Sequence, residues 1–439
     1  MKFEIDKQTL SELELFSQGS NSIYKLFKQT KTEKGELTLY SMMHQPSTDI
    51  SFLKKRTETI RFFMQKEISL NFHNFEYIEH YLKYDAEPGK INAVNYYLYH
   101  KFFNKQGESH IYLLTMGLEA IKSIFQELSE LKQYFLEENL PDFLKELFEE
   151  LDFFAQKEKF QKYLFKNRKW SVQILSSLDF QIRENYKAEF TRFLQKIYLL
   201  DAYISIAKVA NEKKFVLPEF IEAESQVFEI SDLKHPLIPE AVPNDADMKN
   251  LENMCFLTGP NMAGKSTYLK SIGIAMYLAH IGFPVAAKQM KTSVYNGMMT
   301  TINLSDNLQQ GYSHFYAEVK RLKEVALQIK EKDKMFVIFD ELFRGTNVKD
   351  AYDASLMILN AFSKIKSSTF YISTHITEIS EEIKDNPNIL FLYMNSEWKE
   401  EEPFYDYKVK EGISHERLGL YIVQKENIVE ILEEKTSSV

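Results

Sequence analysis

The sequence predicts a mostly α-helical N-terminal region followed by an α/β domain with a largely parallel sheet. Three observations carry that prediction. Between about residues 110 and 215, apolar residues recur three and four apart with charges between them, as in Ile121, Ile124, Phe125, Leu128, Leu131 and Phe135. This is the stripe of a helix buried on one face. Beyond a loop-rich stretch holding Pro236, Pro239 and Pro243, short apolar runs alternate with helical patterns, as expected of parallel strands joined by crossover helices. Two of those runs, Met254 to Leu257 and Met335 to Phe339, are apolar throughout and read as buried strands.

The chain has 439 residues, 44% hydrophobic and 27% charged, enough for two or three globular domains and outside the disordered class. Its 34 Phe and 25 Tyr form no repeat and read as core filling. The single cysteine, Cys255, excludes an intrachain disulfide and a cysteine-based zinc site, and suits a reducing compartment. The opening MKFEIDKQTL is not a basic-then-apolar leader. The longest uncharged apolar stretch, Ser271 to Ala287, contains Gly273, Gly282 and Pro284 and is too short to span a bilayer. A soluble, cytoplasmic protein is expected. Residues 1–233 carry 31 Lys+Arg against 35 Asp+Glu, and residues 234–439 carry 23 against 28. Neither half has the basic excess of a constitutive nucleic-acid binder, so any DNA contact must be local or gated.

The strand Met254 to Leu257 runs into Gly259, Pro260, Asn261, Met262, Ala263, Gly264, Lys265, Ser266 and Thr267, after which Leu269, Ile272, Met276 and Ala279 mark the inward face of a helix. Strand, GxxxxGK[ST] and helix in that order make a phosphate-binding loop. The N–H groups at the helix start face the phosphates, Lys265 reaches the β and γ oxygens, and the Ser266 hydroxyl ligates Mg²⁺. ATP and Mg²⁺ are therefore the expected ligands.

The strand Met335 to Phe339 ends in Asp340 and Glu341. A buried parallel strand delivers its C-terminal residues to the ligand crevice, where Asp340 can hold the metal shell and Glu341 can accept a proton from water. On its own such a pair is ordinarily a solvated strand end; beside a phosphate loop the catalytic reading is the better one. A further strand from Phe370 ends at Thr374 and His375. A lone histidine there is structural by default.

The wording GPNMAGKST resembles the MutS family of DNA mismatch repair ATPases. So do His235-Pro236 and the VPND of residues 242–245 upstream. Downstream lie the AHIGFPVAA of residues 279–287, the DELFRGTN of residues 340–347, and Ser373, Thr374 and His375 in the place of the family's histidine switch. The N-terminus is similar to the family's helical core domain at Thr9 to Phe16, Thr32 to Gly35 and Pro46 to Arg56, and to its lever helix from Leu200 and Asp201 to Pro218. The resemblance implies a helical core domain over residues 1–100 and a helical lever or arm over 101–225 with the clamp reduced or absent. Over 226–439 it implies an ABC-type P-loop NTPase domain with a C-terminal helical end. It implies Asn244 in the nucleotide site, His375 and Lys265 beside Glu341 in catalysis, and a homodimer in which Ser313 of one copy approaches the γ-phosphate held by the other. Ser313 also opens a helical apolar stripe of Phe315, Val319, Leu322, Ala326 and Ile329, and is equally placed to cap that helix.

The family's mismatch-reading domain, with its Phe-x-Glu wedge, is not expected in this sequence. The occurrences at Phe125 to Glu127 and Phe135 to Glu137 sit in amphipathic helical sequence. Where the family has an RIGA-like strand, Tyr295 to Thr301 reads YNGMMTT. The basic cluster Lys157, Lys159, Lys162, Lys166, Arg168 and Lys169 reads either as a solvated helix face or as a DNA contact at the tip of the arm. The expectation is an ATP-hydrolysing homodimer acting on double-stranded or branched DNA. The alternative is a nucleotide-switched scaffold for protein partners, and a transporter-like cassette fits less well.

Overall fold

A computed structural model describes residues 2–17, 19, 21–66, 68, 70–72, 75–84, 106–166, 170–223, 226–248, 251–302, 314–343, 345–399 and 402–413. Two compact units emerge. One comprises Phe27–His44 and Lys55–Asn211, the other Met1–Leu26, Gln45–Lys54 and Glu212–Val439. The units thus cross the expected boundaries at residues 100 and 225, because the N-terminal residues join the α/β unit. The expected C-terminal helical end lies, beyond Ile413, outside the described residues.

The first unit is helical. Its principal helices are Glu33–Met43, Phe75–Leu82, Gln106–Tyr134, Asp142–Ala155, Glu158–Tyr163 and Val172–Phe180, followed by a π-helical turn Gln181–Asn185 and the helix Lys187–Lys213, which belongs to this unit up to Asn211. The phenylalanines do fill its core. Phe125 meets Phe154 edge-on at 5.5 Å and Phe193 tilted at 5.2 Å between ring centroids, and Phe154 meets Phe160 edge-on at 5.5 Å, within the spacing aromatic pairs prefer.

Two buried polar groups set the unit's geometry. Asp201 accepts the N–H groups of Lys31 and Thr32 and the Thr32 hydroxyl, while the Thr32 hydroxyl accepts the Gly35 N–H. Thr32 thereby caps helix Glu33–Met43. A Cβ at Gly35 would lie 2.2 Å from Asp201 Oδ2, so this capped turn requires glycine. Asp179 takes the Tyr81 hydroxyl at 2.9 Å and Arg183 at 2.6 and 3.0 Å, and Arg183 donates to the carbonyl of Tyr84. This ion pair spans the passage from α- to π-helix.

Among the described residues the α/β unit has thirteen strands: β1 (Glu4–Ile5), β2 (Glu219–Phe220), β3 (Phe228–Leu233), β4 (Asn244–Met248), β5 (Met254–Thr258), β6 (Gln289–Thr292), β7 (Gly297–Thr301), β8 (Met335–Asp340), β9 (Thr369–Ser373), β10 (Ile389–Met394), β11 (Glu397–Lys399), β12 (Glu402–Phe404) and β13 (Val409–Glu411). Seven form the main sheet in the order β1-β7-β8-β9-β5-β10-β13. Every pairing in it is parallel except β10 with β13. Strands β5, β7, β8 and β9 are buried at every residue, as a sheet covered by helices on both faces demands. A second sheet runs β2-β6-β3-β4, and β11 pairs with β12.

Helix Lys265–His280 ends on a fully buried histidine. His280 Nε2 accepts the Tyr295 N–H at 2.9 Å, so its Nδ1 carries the proton that meets the Met276 carbonyl at 2.9 Å. Burial pushes its pKa down to about 4. Helix His314–Glu331 departs from the expected stripe. Leu322 and Val325 are buried and Phe315 and Ile329 partly so, whereas Val319 and Ala326 are exposed. The remaining place on the buried face belongs to Arg321, which donates to Asp6, Thr301 and the carbonyl of Thr300. No helix among the described residues is long and apolar enough to cross a membrane.

Candidate nucleotide site

Strand β5 hands the chain to the glycine-rich loop, whose backbone leaves the ordinary regions three times: φ is 143° at Gly259, 66° at Met262 and 102° at Gly264. A Cβ at Gly259 would stand 2.6 Å from the Met394 carbonyl, so only glycine brings the loop this close to β10. Gly264 is the N-cap of helix Lys265–His280 and supplies no capping side chain. The first-turn N–H groups and the positive end of the helix dipole therefore remain for an anion. Lys265 is buried, and its ammonium donates to the carbonyls of Gly259 at 2.8 Å and Pro260 at 3.0 Å.

The same edge of the sheet carries the acids. Asp340 ends β8 and is buried; Glu341 follows with φ 67° and is only partly covered. Strand β9 ends beside them, with Ser373 donating its hydroxyl to Asp340 Oδ1 at 2.6 Å. Two residues on, His375 Nε2 contacts Glu341 Oε1. The resulting cleft has a volume of about 390 Å³ and is lined by Lys265, Ser266, Thr267 and Glu341 among others. The loop residues Pro260, Asn261, Met262 and Gly264 also line it.

The cleft contains residues that the sequence reading did not assign: His235, Ile238, Met394 and Tyr407. His235 was visible only as a motif element; burial and nearby Lys270 push its pKa below the usual histidine value. Tyr407 carried no signal, because its place depends on β13 returning antiparallel to β10. Asn244, expected in the nucleotide site, does not line the cleft. Its amide donates to the Tyr407 carbonyl at 2.9 Å and accepts the Val409 N–H at 2.8 Å, so it fastens the segment that presents Tyr407.

Two family models match the chain, MutS domain III over residues 8–207 and MutS domain V over residues 255–438. The chain belongs to the MutS family. Among related proteins, the DNA mismatch repair protein msh3 of Aspergillus fumigatus is 28% identical over 283 residues, 61% of this chain and 25% of the relative. The DNA mismatch repair protein MutS of Oceanobacillus iheyensis is 25% identical over 64% of this chain and 33% of its own length. That of Anaplasma phagocytophilum is 31% identical over 51% and 27%. The chain thus spans a quarter to a third of the relatives it matches.

Within MutS domain V, Ser313 lies outside the described residues, as does Arg344. Within MutS domain III, the helix at the basic cluster covers Glu158–Tyr163, so of the cluster's described lysines Lys159 and Lys162 lie on it and Lys157 and Lys166 outside it. Lys157 lies over the Phe153 and Tyr186 rings at 4.2 and 5.3 Å, and Lys159 donates to the Ser177 hydroxyl. Lys162 and Lys166 are exposed. Arg168 and Lys169 are outside the described residues.

Proposed function

We propose that this MutS-family chain binds and hydrolyses ATP with Mg²⁺, works as a homodimer, and acts on DNA. The observation that carries the reading is that the glycine-rich loop and Glu341, at the end of β8, line one cleft, with the end of β9 fastened to that strand end through Ser373 on Asp340 and His375 on Glu341. Lys265 already donates to two loop carbonyls, and a triphosphate entering the loop offers it oxygens of opposite charge. Ser266 and Asp340 supply a hydroxyl and a carboxylate, the hard oxygen donors Mg²⁺ takes. Among the described residues no cluster of three or more His, Cys, Asp or Glu could hold a metal unaided, which suits a cation shared with substrate phosphates. When bound, Mg²⁺ neutralises charge on the phosphates.

Glu341 is the group to take the proton of the attacking water: of the two acids that line the cleft, Glu240 and Glu341, it is the one that follows the β8 strand end beside Asp340. His375 holds that carboxylate in place through a direct contact. Ile238 and Tyr407, each a little under half exposed, offer the apolar surface a purine base needs. Ser313 from a second copy completes each site, so hydrolysis should rise more steeply than linearly with protein concentration near the dimer dissociation constant. Mixing Ser313→Ala chains with Lys265→Ala chains should restore partial activity through one intact composite site. No rescue at any ratio of folded chains would mean that each site is complete within one subunit.

The DNA reading draws on the family and on the exposed Lys162 and Lys166. One observation favours the second reading, a nucleotide-switched protein scaffold: Lys157 and Lys159 are engaged within the chain. Measuring turnover with and without homoduplex, mismatched and branched DNA separates the two. Response to none of them favours the scaffold.

A further inference from the structure

Strand β9 lies between β8 and β5, and its last residue, Ser373, pairs with Asp340 on one side and Leu257 on the other. Ser373 is fully buried. A hydroxyl has one proton and two lone pairs, and here both functions go to consecutive acids. The proton is donated to Asp340 Oδ1 at 2.6 Å, the short distance of a charge-assisted bond. In return the oxygen accepts the Glu341 N–H at 3.2 Å, a proton shared with the Ser373 carbonyl at 3.1 Å.

Glu341 has need of such a hold. Its φ of 67° is left-handed, a conformation that costs a residue with a side chain free energy and persists only where the surroundings enforce it. The enforced turn aims the Glu341 side chain into the cleft while Asp340 stays buried behind it. Alanine at 373 would keep the carbonyl contact but lose both hydroxyl bonds.

We propose that Ser373 is a positioning residue for ATP turnover, orienting the Asp340 carboxylate for the metal and fixing the backbone turn that presents Glu341. The proposal rests on reading the cleft as an ATP site. Ser373 is fully buried and does not line the cleft, so its effect should appear in metal dependence and turnover, not in the grip of the loop on phosphate.

The test compares wild type, Ser373→Ala and Ser373→Thr, using a fluorescent ATP analogue with and without Mg²⁺, steady-state turnover, and amide hydrogen exchange at Glu341 in nucleotide-free protein. Ser373→Ala should leave Mg²⁺-free nucleotide affinity within about twofold. The Mg²⁺ concentration for half-maximal turnover should rise, and kcat should fall with KM little changed, by on the order of 10- to 100-fold, the usual loss when a partner of a metal ligand is removed. Exchange at Glu341 should quicken, and the threonine variant, which keeps the hydroxyl, should recover most of each change. Wild-type metal dependence and exchange in the alanine variant would overturn the proposal. So would a threonine variant as impaired as alanine, with nucleotide affinity lost equally with and without Mg²⁺. If wild type binds no analogue at all, the ATP reading of the cleft falls first, and that result is distinct from either.

Discussion

The α/β unit and the helical unit are both dense and apolar inside, but they spend their buried polar groups differently. In the α/β unit Lys265 lines the cleft, while Asp340 and Ser373 are buried at the neighbouring strand ends behind Glu341. In the helical unit Asp201, and the Asp179–Arg183–Tyr81 group, are turned inward and satisfied by the chain itself. A strand end can afford an acid because ligand can complete its surroundings; a helix core can hold one only if the protein supplies every partner. The difference predicts that substitutions at the strand ends change chemistry and leave folding largely alone, while substitutions in the helical unit do the reverse.

The largest effect is expected at Glu341. Glu341→Gln keeps size and polarity but cannot accept a proton, and should lower turnover by on the order of 10²- to 10⁴-fold while nucleotide still binds. Its unfolding midpoint should stay near wild type. Unchanged steady-state hydrolysis would remove Glu341 from the mechanism and blur the contrast between the units.

Next comes the buried pair of the helical unit. Asp179→Ala leaves Arg183 buried without its carboxylate, a change that typically costs about 3 to 5 kcal/mol. The loss should be seen as a lower urea midpoint for the helical unit, with ATP turnover per folded molecule unaltered. A midpoint within error of wild type would mean that Tyr84 and solvent replace the carboxylate, and that the network is not what holds the π-helical turn.

How much of this was legible follows the same division. The strand-end placement of the loop, the acids and His375 is legible in the sequence, because a fully apolar run marks the strand before the loop and before the acids. That of Tyr407 is not, because only an antiparallel strand and the Asn244 amide bring it to the cleft. Asn244, expected in the nucleotide site, bonds the backbone of that segment at Tyr407 and Val409, a role its motif does not announce. The buried face of helix His314–Glu331 departs from the apolar stripe for another reason: counting apolar residues skips Arg321, which is buried because Asp6 and the end of β7 satisfy it. The N-terminal residues were placed with the helical region, since β1 is two residues long and shows no periodicity that would betray its pairing with β7. In the helical unit the amphipathic pattern announced helices but not Asp201 as the partner of a distant cap.

His280 supplies a pH-dependent contrast. Its folded pKa of about 4 lies below the ordinary value near 6.5, so between those values the unfolded chain binds the proton and the folded chain does not. Stability is therefore fully present above about pH 6.5 and is lost as pH falls toward 4, by about 3 kcal/mol in all. The acid-side slope of stability should be visibly shallower in His280→Gln, which does not titrate. Identical slopes would place the acid sensitivity elsewhere. Because His280 lies in the α/β unit, the loss should appear in that unit first, the one case here where a strand-and-helix core rather than the cleft sets the response.

The smallest effect expected is on DNA, and its size follows from counting charges. Six clustered basic residues, all on phosphates, would give a slope of log K against log salt near −5, at roughly −0.9 per contact. Lys157 rests on two aromatic rings and Lys159 on Ser177, while Lys162, over the adjacent Tyr163 ring at 5.4 Å, and Lys166 are exposed; contacts from these two give a slope of about −2. Between 50 and 200 mM salt that amounts to a loss of roughly 12-fold in affinity. Replacing Lys162, Lys166 and Lys169 by Glu should abolish this binding while basal ATP hydrolysis continues, because the lysines lie in the helical unit and the cleft in the other. A slope near −5 would show that Lys157 and Lys159 leave their intramolecular partners on binding. Strong preference for a mismatch over homoduplex would be the more serious failure, since a salt-governed contact of two lysines to phosphates carries no sequence information.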